Sequence, residues 1–209
     1  MSPEPVEIGT PYGAARVTLQ RGTGRARALL LLGHGAGGGI TAPDLAVAAR
    51  AANAVGVHVG LVEQPYRVAG KRAPAPAAQL DTAWLAVVEA VRAGELGIDK
   101  RGRLPLVQGG RSSGARVACR TAAEARSRAV LCLAFPEHPP GKPEKTRMPE
   151  LDAVDVPVLV VQGRTDPFGC PEPGPDRDVV VLTGDHSLRS DRAGVENAVT
   201  DWLESLLAS

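Results

Sequence analysis

The run Val107-Gln108-Gly109-Gly110-Arg111-Ser112-Ser113-Gly114-Ala115-Arg116 decides how this chain is read. An apolar, strand-like stretch from Leu104 to Gln108 enters it, and a helix-like stretch from Ala115 to Ala125 leaves it. Between them Gly110-Arg111-Ser112-Ser113-Gly114 spells G-x-S-x-G, a pattern that sets a serine on a sharp strand-to-helix turn with its hydroxyl exposed. Small neighbours are needed there because the serine backbone is strained and other chain comes close. The helix behind it opens with free N–H groups that can hold negative charge developing on an oxygen. A plainer reading makes Ser112 the N-cap of an ordinary crossover helix. The place of the motif, and the residues that follow it, favour the first reading.

Outward from this turn, strand-like and helix-like segments alternate. Upstream, residues 6–20 read as an edge hairpin around Pro11-Tyr12-Gly13, and Ala28 to Leu32 as a strand buried on both faces. Thr41, Pro43 and Asp44 open a helix to Val55 that Gly56 stops. Val57 to Val62 is the next strand, and Ala75 to Ala93 an amphipathic helix with Leu80, Trp84, Val87, Val88 and Val91 on one face. Downstream, Ala129–Ala134, Val156–Gln162 and Val179–Leu182 read as strands. Gly194 to Leu207 is a closing helix with Trp202, Leu203 and Leu206 inward. Pro136 to Pro149 is a proline-rich loop and the only stretch resembling an insertion. The alternation predicts an α/β fold, a mostly parallel twisted sheet of about seven to eight strands with helices on both faces. With 209 residues and neither repeat nor linker, one domain over 1–209 is expected.

Composition narrows the function classes. A net charge of +1 gives nucleic-acid binding no electrostatic support. Aromatics are 3%, so Ala, Val and Leu must fill the core. Cys119, Cys132 and Cys170 are odd in number and predict no disulfide framework, and no Cys/His cluster suggests a metal. Met1 to Pro5 lacks the marks of a signal peptide, and no apolar run is long enough to span a membrane, so a cytoplasmic setting is expected.

In an open parallel sheet, ligands bind beyond the carboxyl ends of the strands. His34, Ser112, Asp166 and His186 each follow a predicted strand and should meet at that edge. Serine needs a base, and the base needs a carboxylate to fix its tautomer. Ser112, Asp166 and His186 supply nucleophile, acid and base in that chain order. Asp185 and Asp155 are weaker candidates for the acid: one adjoins His186, the other precedes its strand. His34-Gly35-Ala36-Gly37 reads as an oxyanion loop in which the Ala36 N–H works beside the Ser113 N–H. Gly33 to Gly38 also fits G-x-G-x-x-G, with Glu63 as a ribose partner, which keeps a nucleotide-binding reading open. His34, Arg111, His138 and Arg164 form the candidate substrate-binding set. His34 itself is read as structural, packing under the loop, and an exposed loop residue is the preferred reading of His138 over one that lines the entrance. Arg111, Arg164, Lys142, Lys145 and Arg147 could favour a carboxylate-bearing substrate, or simply be solvated.

These stretches, with Gln162-Gly163-Arg164-Thr165-Asp166-Pro167-Phe168-Gly169, resemble the alpha/beta-hydrolase superfamily from about Leu29 to Leu207. Pro136-Glu137-His138-Pro139-Pro140-Gly141-Lys142-Pro143 is similar, more narrowly, to a small branch related to dienelactone hydrolases. That branch includes a testis-expressed protein and the third regulatory subunit of a non-specific-lethal histone-acetyltransferase complex. The resemblance implies the fold with a minimal cap, and the roles of Ser112, Asp166 and His186. It leaves a non-catalytic binding or complex subunit open beside the enzyme. The expectation is a serine hydrolase of small esters or thioesters that needs no cofactor. Its partner is a small-molecule ester, without nucleic acid or membrane, and the chain acts as monomer or homodimer.

Overall fold

The computed structural model describes residues 4–99 and 102–208. Met1 to Pro3, part of the N-terminal signal-peptide reading, lie outside them. In chain order the elements are β1 (Val6–Thr10), β2 (Gly13–Gln20), β3 (Ala28–Gly33), α1 (Pro43–Ala54), β4 (Val57–Glu63), α2 (Pro65–Val68), α3 (Ala77–Arg92), β5 (Leu106–Arg111), α4 (Ser113–Thr121), β6 (Ala129–Leu133), α5 (Met148–Asp152), β7 (Val158–Gly163), β8 (Arg177–Leu182) and α6 (Arg192–Ala208). The strands form one eight-stranded sheet in the order β1-β2-β4-β3-β5-β6-β7-β8. The β1–β2 hairpin is antiparallel and β2 runs antiparallel to β4, whereas β3 to β8 are parallel.

Side-chain alternation divides the core. Leu30, Leu32, Val107, Leu131 and Leu159 face α1 and α6. Leu29, Leu31 and Leu106 face α3, while Val130, Cys132 and Val160 face α4 and α5. With both faces covered, β3, β6 and β7 are buried along their whole length, as continuous apolar runs require. The one polar side chain deep in β5 is satisfied. Gln108 Oε1 accepts the Trp84 indole N–H at 2.6 Å, and its amide nitrogen donates to the Ala118 carbonyl at 3.2 Å. That bond pair pins α3 and α4 to the strand that carries Ser112.

Several expected boundaries shift for local reasons. β5 continues to Arg111 because Arg111 still pairs with Leu133 of β6. α4 ends at Thr121 and not Ala125: the chain turns back at Arg126, at φ 47°, where the Ser127 N–H bonds the Ala122 carbonyl. α2 and α5 were not expected, and each carries a proline in its first turn, where proline is helix-compatible. Trp202 is half-buried, while Leu203 and Leu206 point fully inward. Among the described residues no helix is long and apolar enough to cross a membrane.

Candidate active site

The sheet registers align the strand ends that matter: Gly33 pairs with Gly110, Arg111 with Leu133, and Gly163 with Leu182. Ser112 follows directly, at φ 53° and ψ −107°, and makes no side-chain capping bond to α4. A non-glycine residue there is strained by about 1–3 kcal/mol, and the surrounding backbone holds it. The two glycines of the motif have one cause. A Cβ at Gly110 or Gly114 would run into the Gly33 carbonyl, so the end of β3 packs against the turn itself.

The strained turn aims the Ser112 hydroxyl at the next loop. Ser112 Oγ lies 3.0 Å from His186 Nε2, and His186 Nδ1 lies 2.7 Å from Asp166 Oδ2. An ionised carboxylate only accepts, so Nδ1 carries the proton and Nε2 presents its lone pair to the serine. The Asp166 side chain is 0% exposed and the His186 side chain 17%. Gln162 Nε2 donates to Asp166 Oδ2 at 2.8 Å, and the Phe168 N–H donates to its Oδ1 at 2.8 Å. The Phe168 ring meets the imidazole edge-on, with centroids 4.6 Å apart. The Asp166 and His186 loops are also tied by backbone. Arg164 and Thr165 N–H groups donate to the carbonyls of Leu182 and Gly184, and a Cβ at Gly163 would strike the Asp185 backbone. Asp185, the rival acid, turns to solvent and accepts from the Ser187 N–H and hydroxyl, which lower its pKa.

On the other side of Ser112 lies the Gly33–Gly39 loop. The Gly35 carbonyl accepts from His34 Nδ1 at 2.9 Å and from the Gly38 N–H at 3.1 Å. The Ala36 N–H belongs to the same planar peptide and therefore points the opposite way. Tyr66 Oη donates to the Ala36 carbonyl at 2.9 Å. Ser113 opens α4, so its N–H has no intrahelical acceptor. Burial lowers the His34 pKa and keeps the ring neutral; its Nε2 accepts the Gln64 N–H at 3.2 Å. Both ring nitrogens are thus committed. His34 packs under the loop, and its expected place among substrate-binding residues is corrected.

Arg111 is likewise committed. Its Nε pairs with Asp44 Oδ2 at 2.8 Å and its Nη2 donates to the His186 carbonyl at 3.0 Å, so it is an internal tie and not a free cation for substrate. Arg164 is exposed beside the Asp166 turn. His138 bonds the neighbouring Pro139 carbonyl at 3.0 Å and lies on the loop whose Glu137 bonds the Cys170 N–H. Gln162 and Phe168 had no place in the expected site, although both lie inside the quoted stretch around Asp166, and Asp44 was expected only to open α1. The glycine loop also lacks the context of a dinucleotide site: α1 begins only at Pro43, whereas a phosphate-binding glycine turn opens its helix directly. Among the described residues no group of His, Cys, Asp and Glu side chains could hold a metal ion.

Comparison with known proteins agrees with this architecture. Est1E from Butyrivibrio proteoclasticus with ferulic acid bound superposes with a TM-score of 0.78 at 17% identity, covering 98% of this chain and 100% of that one. A Xanthomonas campestris serine hydrolase without a lid gives 0.70 at 20% identity, covering 95% and 94%. Dienelactone hydrolase from Anabaena variabilis gives 0.71 at 15% identity, covering 98% and 99%. No curated protein sequence matches the chain. The family model described as an alpha/beta hydrolase domain matches residues 26–202, and the chain belongs to that family.

Proposed function

We propose that this chain is a serine hydrolase of small esters or thioesters, working through Ser112, His186 and Asp166. One observation carries the reading: the unbroken hydrogen-bonded line from Ser112 Oγ through both imidazole nitrogens to a carboxylate shut off from water. His186 Nε2 takes the serine proton as Oγ attacks the acyl carbon, and later gives it to the leaving alcohol or thiol. Asp166 holds the tautomer and stabilises the imidazolium that forms. The N–H groups of Ala36 and Ser113 receive the oxyanion. Water activated by His186 then releases the acyl group. The loop from Pro136 to Arg147 is short and, among the described residues, no helical lid covers the crevice, which fits a small, soluble substrate. The narrower kinship with the branch carried by Pro136–Pro143, a single domain over 1–209 and a cytoplasmic setting belong to the same reading.

A fluorophosphonate probe tests it. Ser112 should be labelled, and Ser112→Ala should lose both labelling and at least about 10³-fold in kcat on p-nitrophenyl acetate. Undiminished labelling or turnover in Ser112→Ala would remove the proposed mechanism.

A further inference from the structure

We propose that Arg111 is a positioning residue, a guanidinium anchored on the buried Asp44 carboxylate that holds the His186 loop in register with Ser112. The inference rests on the serine-hydrolase reading and adds to it the residue inside G-x-S-x-G that the chemistry itself does not use.

Two polar contacts and one close approach, on three different segments, support it. Nε reaches back to Asp44, in the first turn of α1, whose side chain is 1% exposed. Nη2 donates to the main-chain carbonyl of the residue that serves as base. Nη1 lies so close under the oxyanion loop that a Cβ on Gly35 would come within 2.9 Å of it. The sheet does not make this connection. β5, which delivers Ser112, and β8, which delivers His186, are separated by β6 and β7. On its far side the His186 loop is zipped to the Asp166 turn through Gly184. On its near side, Arg111 closes the span.

The arrangement is costly, which argues that it has a use. A carboxylate removed from water is unfavourable unless a partner compensates it closely. Burial accordingly raises the Asp44 pKa, and the Arg111 charge opposes that rise. Asp44 is not the N-cap of α1; Ala42 is. Its Oδ1 accepts the Leu45 N–H at 3.0 Å and serves the helix start, while its Oδ2 is left to the Arg111 guanidinium. Misplacement of a reacting group by about 1 Å costs about 10²-fold in rate, so a tether on the base acts on turnover and not on affinity.

The test compares the native chain with Arg111→Gln and with the double variant Asp44→Asn/Arg111→Gln. The double variant leaves no unpaired charge in the core and keeps the fold accessible if the single one does not. Steady-state hydrolysis of p-nitrophenyl acetate and the rate of fluorophosphonate labelling are read well below each melting temperature. The expected result is a fall of about 10²-fold in kcat with KM within about twofold, a matching fall in labelling rate, and a double variant that melts close to the native chain. Millimolar guanidinium should partly restore kcat in an Arg111→Ala chain. Native kcat in the double variant, or a change confined to KM, would overturn the positioning role while native labelling at Ser112 leaves the hydrolase reading intact. Failure of the native chain itself to label or turn over would instead strike the hydrolase reading.

Discussion

The serine corner and the histidine corner of this site are built by different forces. At the serine corner, backbone meets backbone: the Gly33 carbonyl occupies the space where side chains on Gly110 and Gly114 would begin. At the histidine corner one backbone contact of that kind remains, Gly163 against Asp185, but side chains do most of the holding: Gln162, Phe168 and Arg111 hold Asp166 and His186 by hydrogen bonds and ring contact. Hard contacts dictate residue type and tolerate nothing larger. Hydrogen bonds dictate geometry and fail by degrees. The serine corner should therefore break abruptly under substitution, and the histidine corner should soften.

The largest effect belongs to Gly114→Ala. One methyl group must displace the end of β3, so the cost should exceed about 3 kcal/mol, with the melting temperature down by about 10 °C. Because Ser113 and the turn move with it, kcat/KM should fall about 10³-fold. The control is Gly37→Ala, where a Cβ would meet nothing within 4 Å. Its melting temperature should stay within about 2 °C of native. Equal behaviour of the two variants, measured by thermal melts and ester hydrolysis, would remove the distinction between a steric corner and an open loop.

That distinction also governs what could be read from the sequence. The alternation of apolar runs and turns gave the sheet because each buried strand must be apolar along its length. Gly110, Ser112 and Gly114 were legible because steric demand leaves only small residues possible there. Asp166 and His186 were legible because each directly follows a predicted strand, and the carboxyl ends of parallel strands meet at one edge. Gln162 was not, since a glutamine at a strand end carries no periodic or steric signature; only its contact with Asp166 reveals it. Arg111 reads in the sequence as a cation for substrate or for solvent because charge is visible there, whereas a buried partner such as Asp44, on another helix, is not. α2 and α5 escaped because a proline in a first turn looks the same as a proline in a loop.

A softer break is expected from Gln162→Leu. The Gln162 amide nitrogen lies within hydrogen-bond reach of the buried Phe135 carbonyl and of Asp166 Oδ2 and the Gly169 carbonyl, both part-buried. Leucine keeps the volume and strands those acceptors, which should cost about 2–3 kcal/mol. Asp166 keeps the Phe168 N–H and His186, so kcat should fall only about tenfold with KM unchanged. A loss as deep as that of Gly114→Ala would mean that the histidine corner is as brittle as the serine corner.

Beneath the serine corner, α4 is bound to its neighbours by charge. Glu150 of α5 accepts from Arg116 and Arg120, and Arg120 also grips Asp81 of α3. Burial works against the Glu150 charge, but Arg116 and Arg120 outweigh it and lower its pKa. A lowered carboxyl pKa contributes stability that is present above the ordinary value of 4.5 and lost as pH falls through the folded value. Glu150→Gln should therefore melt about 4 °C below native at pH 7, and the gap should close on acidification from about pH 5 to pH 3. A gap that persists unchanged at pH 3 would show that the glutamate contributes packing and not charge.

The smallest effect concerns selectivity at the mouth. Of the cations expected near the site, Arg111 is paired with Asp44, and Arg147 donates to the His138 carbonyl. Arg164, beside the Asp166 turn, is exposed and remains able to meet a substrate carboxylate. An exposed ion pair is worth about 0.2–1 kcal/mol, which is a factor of about 1.4 to 5. Arg164→Gln should thus raise KM about threefold for the p-nitrophenyl half-ester of a dicarboxylic acid and leave p-nitrophenyl acetate unchanged. The difference should vanish in about 0.5 M salt, where screening acts within a few ångströms. A tenfold or salt-resistant effect would mean that Arg164 is desolvated in the complex, and that the histidine corner selects the substrate as well as holding the base.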